Sequence, residues 1–249
     1  MYGMFYRSRQ YLKIAPISMT DSLKNNLASL VSNPVFVITY GPPGCGKSAT
    51  ANKSYSNYVI IDVDDIVSNM DGFLNQSQII CNMIQKGIDR DEIEKAAHYI
   101  YQTFRDEADR YSESLLDISL SNKDNIVFET TGGSERSLAY LKNTITYVKK
   151  QGYWIKIIFP HAPVSILSDR IYTRGKINGR LPSENFLSSA YTYACEHFHE
   201  VANFCDEIMV NDSSGPVSVN IYHRVKGYTE TRNIDKFREL PFSLRVVLS

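Results

Sequence analysis

The sequence has no charge excess: 27 Lys and Arg face 27 Asp and Glu, for a net charge of +0. A protein built mainly to coat nucleic acid carries a large positive balance, so that class is excluded, although a local basic groove is not. Cysteine is sparse. The four present, Cys45, Cys81, Cys195 and Cys205, include no C-x-x-C pair. Neither a structural metal site nor a disulfide framework is indicated, and reduced thiols in a cytoplasmic setting fit that usage. No apolar run approaches the roughly 20 residues of a membrane helix, so no membrane partner is expected. The first residues, MYGMFYRSRQYLKIAP, lack a continuous apolar core, so no secretory signal is read there. They read as a surface extension, with an aromatic and basic docking arm as the alternative. Internal repeats and low-complexity tracts are also missing. His197 and His199 are two apart, on different faces of a helix, which argues against a metal site.

What is present is an ordinary globular composition, 43% hydrophobic and 22% charged, in a chain of 249 residues. That is enough for one α/β core with a decorated insert. Short β-branched runs alternate with helical patterns along it. A helix over 18–32 precedes Asn33-Pro34, which stops it. Strands follow at 35–39, 58–67 (running out into three carboxylates), 125–133, 154–160 and 207–210. Helices are expected at 47–55, 135–150, 163–174 and 183–203. A helical insert over about 66–121 separates the second and third strands. Its last helix, 91–120, has Ile93, Ala97, Ile100, Phe104, Ala108, Tyr111, Leu115 and Ile118 at steps of three and four, read as a core-facing stripe. The alternation predicts a three-layer P-loop NTPase of the kinase type: a parallel five-stranded sheet with helices on both faces and the active site at the strand carboxyl ends. The organisation is a helical extension over 1–33, a core over 34–214 and a C-terminal extension over 215–249, the last with β-like pieces.

The first strand runs into Gly41-Pro-Pro-Gly-Cys-Gly-Lys47-Ser48, which matches G-x-x-x-x-G-K-[ST] between a strand and a helix. Gly41, Gly44 and Gly46 let backbone amides turn toward phosphate oxygens, and Pro42 stiffens the loop. Lys47 reaches the β- and γ-phosphates, Ser48 is placed to ligate Mg²⁺, and Ala49 continues the helix whose positive end meets the anion. Cys45 is read as a small filler. The cofactors are therefore ATP and Mg²⁺.

Three more polar groups fall at the same sheet edge. Asp62 and Asp64 share a face if their strand continues. One would hold a Mg²⁺-bound water and the other would take the proton of an acceptor hydroxyl. A metal-only role, or a cap for the next helix, is the alternative reading of the pair. Glu129, with Thr130 after it, ends an apolar strand and must meet a cation, a metal-bound water or a substrate hydroxyl, or else form a structural salt bridge. Arg170, Arg174, Lys176 and Arg180 put cations near the site. Gly175 and Gly179 make the segment read as a mobile lid over the nucleotide, with a solvated basic loop as the alternative.

Taken in order, GPPGCGKS, IIDVDD, IVFETTG and an Arg-rich segment ending GRLP resemble the zeta-toxin and polynucleotide-kinase group of P-loop kinases over residues 34–212. The resemblance implies Asp64 as base, a substrate-binding turn at Glu129-Thr130-Thr131, and lid arginines at Arg170 and Arg180. Thr130 stands where that group has Gly. The His-Pro that follows the second-strand acids in zeta toxins is absent, which argues against their sugar-nucleotide substrate. Shikimate-kinase-like and chloramphenicol-phosphotransferase-like enzymes share the acid position. The expected activity is transfer of the ATP γ-phosphate to a hydroxyl of a small metabolite, a nucleotide-sugar or a polynucleotide end. An ATP-binding switch, or a degenerate P-loop subunit without transfer activity, stands beside it.

Overall fold

The structure, a computed structural model, describes residues 33–226 and 228–248. The helix expected over 18–32 lies outside them. Strands are β1 (Val35–Tyr40), β2 (Val59–Ile61), β3 (Ile126–Thr130), β4 (Trp154–His161), β5 (Glu207–Asp212), β6 (Val219–Val225) and β7 (Tyr228–Thr231). Helices are α1 (Lys47–Ser54), α2 (Val63–Ser68), α3 (Asp71–Gln85), α4 (Arg90–Asn122), α5 (Glu135–Lys150), α6 (Val164–Asn178), α7 (Glu184–Ala202), α8 (Ile234–Glu239) and α9 (Phe242–Leu248).

The sheet order is β2-β3-β1-β4-β5-β6-β7. The first five strands are mutually parallel. Five strands were expected. The sheet gains two more because Val219–Val225 pairs antiparallel with β5, and β7 pairs antiparallel with β6. The β-like pieces of the C-terminal tail thus cover what would otherwise be an open parallel edge. β1 is apolar and buried because it lies at the middle of the sheet with helices on either face.

One large core packs the sheet against α5, α7 and the C-terminal helices. A smaller one lies on the α1 side. The insert α2–α4 has its own core: Phe73, Ile80, Ile93, Ala97 and Ile100 pack with Leu167 and Ile171 of α6. The expected stripe on α4 holds through Ala108, then departs. Buried positions continue as Ser112, Leu116, Ser119 and Leu120, while Tyr111 and Ile118 are each 59% exposed. A straight helix turns 3.6 residues per turn, so the inward face returns at 97, 108 and 119, an 11-residue repeat. Steps of 3, 4 and 3 after Ala108 fall behind that turn and rotate off the seam. Helix geometry, not hydrophobicity, places two serines inside.

The segment read as a mobile lid is built differently. Helix α6 continues through Asn178, so only residues 179–183 are loop. Gly175 is buried within α6, and its carbonyl accepts from Cys81 Sγ of α3. A Cβ on Gly179 would lie 2.4 Å from the Ser77 carbonyl oxygen, and its φ is +69°. Gly179 therefore allows the end of α6 to dock closely on α3, whereas a Cβ on Gly175 would meet Leu181 of the following loop at 3.1 Å.

Candidate active site

Parallel pairing brings the site together. The β1–β3 register sets Thr39 opposite Glu129 and Tyr40 opposite Thr130, and the β2–β3 register sets Ile61 opposite Phe128. Asp62, Glu129 and the loop after Tyr40 therefore leave neighbouring strand ends. In that loop Gly41, Gly44 and Gly46 all have positive φ, from 79° to 137°, which L side chains rarely adopt. Gly41 N donates to Thr130 O at 3.2 Å, so Thr130 anchors the loop through its backbone.

Lys47 is buried and folds back over its own loop, donating to Gly41 O (2.9 Å) and Pro42 O (3.1 Å). Its Nζ lies 3.9 Å from Glu129 Oε1, with both side chains under a tenth exposed. The Ser48 hydroxyl lies 3.1 Å from Glu129 Oε1 and 3.4 Å from Asp62 Oδ2. Glu129 Oε2 is buried and finds no partner among the described residues. Burial, reinforced by Asp62 and Asp64 and opposed by Lys47, pushes the Glu129 carboxyl up to about 7. Glu129 thus meets Lys47 and Ser48 and does not line the cavity described below, where Thr131 appears instead.

Strand β2 does not continue through Asp62. The chain turns into α2 at Val63, and Asp62 caps it by accepting from Asp64 N at 2.9 Å. Asp62 is buried; burial and the nearby Asp64 raise its pKa. Asp64, in the first turn of α2, faces the other way. Its Oδ2 lies 2.6 Å from Arg180 Nη2, and its Oδ1 accepts from Tyr101 OH at 2.5 Å. Burial works to raise its pKa, but Arg180 and the Tyr101 hydrogen bond outweigh it and hold the carboxyl below its ordinary value. The two acids are thus divided between two environments.

The four cations do not act as a group. Arg174 is half-buried, and its buried Nε has no hydrogen-bond partner among the described residues. Burial and Arg180 lower its pKa, with the three carboxylates opposing. Arg174 and Arg180 border the cleft. Lys176 lies over the Tyr172 ring, 4.5 Å from its centroid. Arg170, expected over the phosphate, instead donates to the carbonyls of Gly44 (3.3 Å), Ser213 (2.6 Å) and Ser214 (3.2 Å). It braces the loop from outside. Ser213 completes the brace, with Oγ donating to Cys45 O at 2.6 Å. The Cys45 side chain is buried as a filler. Ser213 was not singled out from the sequence; its signal is a polar NDSS run directly after an apolar strand that ends at the same sheet edge.

Next to Asp64 opens a cavity of about 660 Å³. One wall is the polar face of α4, with Asp91, Lys95, His98, Tyr101, Gln102 and Arg105. Phe73, Leu181, Pro182 and Phe186 supply apolar surface. Pro43 of the phosphate loop, Asp64, Arg174 and Arg180 form the end that adjoins the loop. Among the described residues no group of three His, Cys, Asp or Glu side chains forms a metal cage. No described helix is long and apolar enough to cross a membrane.

Comparison with known proteins agrees with this architecture. A family profile described as an AAA domain matches residues 36–194. No curated relative matches the sequence. Among solved structures, one from the PezAT chromosomal toxin-antitoxin system of Streptococcus pneumoniae aligns with a TM-score of 0.57 at 20% identity, covering 90% of this chain and 89% of that one. The AvrRxo1-ORF1:ORF2 complex with ATP aligns with a TM-score of 0.59 at 12% identity, covering 88% of this chain and 66% of that one. At such identities these likenesses are of fold, and the fold is the α/β P-loop NTPase fold expected from the motifs. With a profile match over more than half of its length, the chain belongs to the AAA domain family.

Proposed function

We propose that the protein transfers the γ-phosphoryl group of ATP to a hydroxyl of an acceptor held in the cavity beside Asp64. One observation carries this reading. The Asp64 carboxylate stands where the phosphate loop, two half-buried arginines and the cavity meet, since Pro43, Asp64, Arg174 and Arg180 all line it. An attacking alcohol must lose a proton, and a carboxylate within reach of both substrates is placed to take it. A switch that only binds nucleotide has no need of such a cavity.

The loop amides and Lys47 hold the phosphates. Arg174 and Arg180 line the end of the cavity next to the phosphate loop, where they would meet the charge that spreads in the transition state. Ser48 Oγ, Asp62 and Glu129 form an oxygen-donor set suited to Mg²⁺, and the buried, unpartnered Glu129 Oε2 fits that chemistry. When bound, the ion would neutralise charge on the β- and γ-oxygens. These residues would hold it through one or two carboxylates, with phosphate and water completing the shell.

The test is transfer of labelled γ-phosphate from ATP to a panel of sugars, nucleotides, 5′-hydroxyl oligonucleotides and proteins. Wild type labels one class of acceptor, and Asp64→Asn lowers that rate by about 10²–10⁴-fold. Full transfer by Asp64→Asn to the identified acceptor rules out the base assignment.

A further inference from the structure

We propose that Tyr101 is a positioning residue for Asp64, holding the carboxylate by one oxygen so that the other can pass from Arg180 to the acceptor, with Arg105 and Asp109 fixing Tyr101 in turn. The inference rests on the reading of Asp64 as base.

The argument begins with proton bookkeeping. A guanidinium only donates, and a phenol has one hydrogen. Arg105 Nη1 lies 2.7 Å from Tyr101 OH, so the Tyr oxygen accepts there. The single phenolic hydrogen is then directed to Asp64 Oδ1, 2.5 Å away. Arg105 is itself held: its Nε donates to both carboxylate oxygens of Asp109, at 2.9 and 3.0 Å. Tyr101, Arg105 and Asp109 follow at steps of four on α4, so one helix face carries the whole relay. That helix is anchored before, within and after the relay by buried Ala97 and Ile100, Ala108, and Ser112. Asp64 thus takes its orientation from a rigid element and not from its own short helix.

Arg180 cannot do the same work. It engages the second oxygen, Oδ2, at 2.6 Å. That oxygen must be released for an acceptor hydroxyl, and the same cation is wanted at the phosphoryl group. Tyr101 can stay bound through the reaction because it occupies only Oδ1. The arrangement repeats the logic of a catalytic base oriented by a third group. Tyr101 and Arg105 also line the cavity, so the wall that meets the acceptor is the wall that sets the base.

The experiment measures release of labelled phosphate from Mg-ATP with water as acceptor, and Mg-ATP binding by calorimetry, for Tyr101→Phe, Arg105→Ala, Asp64→Asn and the double variants. Tyr101→Phe is expected to lower kcat about ten-fold through a misplaced base. KM for ATP and the calorimetric affinity should stay at wild-type values, since the phosphate loop is untouched. Arg105→Ala should cost no more than Tyr101→Phe, and the two together no more than Tyr101→Phe alone. Tyr101→Phe should add nothing in the Asp64→Asn background, because residues acting as one unit are not additive. Wild-type kcat in Tyr101→Phe, further loss in the Asp64→Asn background, or an equal loss of Mg-ATP affinity each overturns the positioning role. If Asp64→Asn itself turns over at the wild-type rate, the base reading falls and the positioning role falls with it. If Asp64→Asn is impaired and Tyr101→Phe is not, only Tyr101 falls.

Discussion

Arg180 Nη2 holds Asp64 Oδ2 at 2.6 Å, joining the cation in the loop between α6 and α7 to the acid at the start of α2. The pair closes over the boundary between the phosphate loop and the cavity. An exposed ion pair contributes little to stability; here the Arg180 side chain is 13% exposed and the Asp64 side chain 36%, so the poorly solvated charge is the guanidinium left when Asp64 is removed. Arg180→Ala should leave Mg-ATP affinity near wild type and lower γ-phosphate transfer by about 10³-fold or more, as for arginines that meet transition-state charge. Transfer at wild-type rates would remove Arg180 from the chemistry.

Arg170 gives the opposite pattern. It supports the carbonyls of Gly44, Ser213 and Ser214 and does not reach the cleft. Arg170→Ala should lower the melting temperature and weaken Mg-ATP binding, because charged-donor hydrogen bonds are worth about 1.5–3 kcal/mol and the loop loses its brace. Arg170→Lys should not restore it, since one ammonium cannot span three carbonyls as a planar fork does. Thermal melts and calorimetry on the three proteins decide the matter.

Lys47 Nζ donates to its own loop carbonyls, Gly41 O and Pro42 O, at 2.9 and 3.1 Å. Mg-ATP at about 100 times its Kd should stabilise wild type by about 2.7 kcal/mol. Lys47→Ala should show no nucleotide-dependent shift in Tm and no γ-phosphate transfer. A wild-type Tm shift in the variant would contradict the assignment.

Glu129 makes stability depend on pH. Its carboxyl is raised to about 7, chiefly by burial, so between about 4.5 and 7 the folded state binds more proton than the unfolded state. The derivative of unfolding free energy with pH is then negative: stability is greatest below the unfolded pKa and falls as pH rises toward 7. The loss is about 3 kcal/mol across that window. Glu129→Gln should abolish this part of the slope and be the more stable protein at pH 8 without nucleotide. Urea unfolding at pH 5, 6, 7 and 8 measures it, and parallel curves for the two proteins would refute it.

Gly179 is required for packing as well as for its φ. A Cβ there would lie 2.4 Å from Ser77 O, whereas Gly87, with a similar φ of +67°, has open space around it. Gly179→Ala should cost about 1–3 kcal/mol more than Gly87→Ala, which pays only the backbone strain. At this size that is a further fall in Tm of roughly 2–10 °C. Equal melting temperatures would show that α6 does not depend on close approach to α3.

The sequence by itself determined the five parallel strands, the phosphate loop and the acids at 62–65 and 129, but not the two antiparallel strands of the tail. Each is a local pattern: a β-branched run, a run of glycines ending in Lys-Ser, or a carboxylate at the end of an apolar strand. Strand alternation with helices was enough to predict that they share one sheet edge. Which group faces which was beyond those patterns. That Asp62 turns back as a helix cap while Asp64 points at the cavity depends on where β2 stops, and neighbouring residues do not reveal it. Arg170 and Arg174 lie on one helix face, yet one braces Gly44 and the other borders the cleft, because a long side chain reaches whatever the surrounding elements present. The relay from Asp109 to Tyr101 was legible only as helical spacing. Its target lies 37 residues away in sequence, and only the packing of α4 on α2 brings the phenol to the carboxylate. Short-range periodicity sets the elements and long-range packing sets the partners, so the phosphate loop was readable from the chain and the surroundings of the base were decided by the tertiary structure.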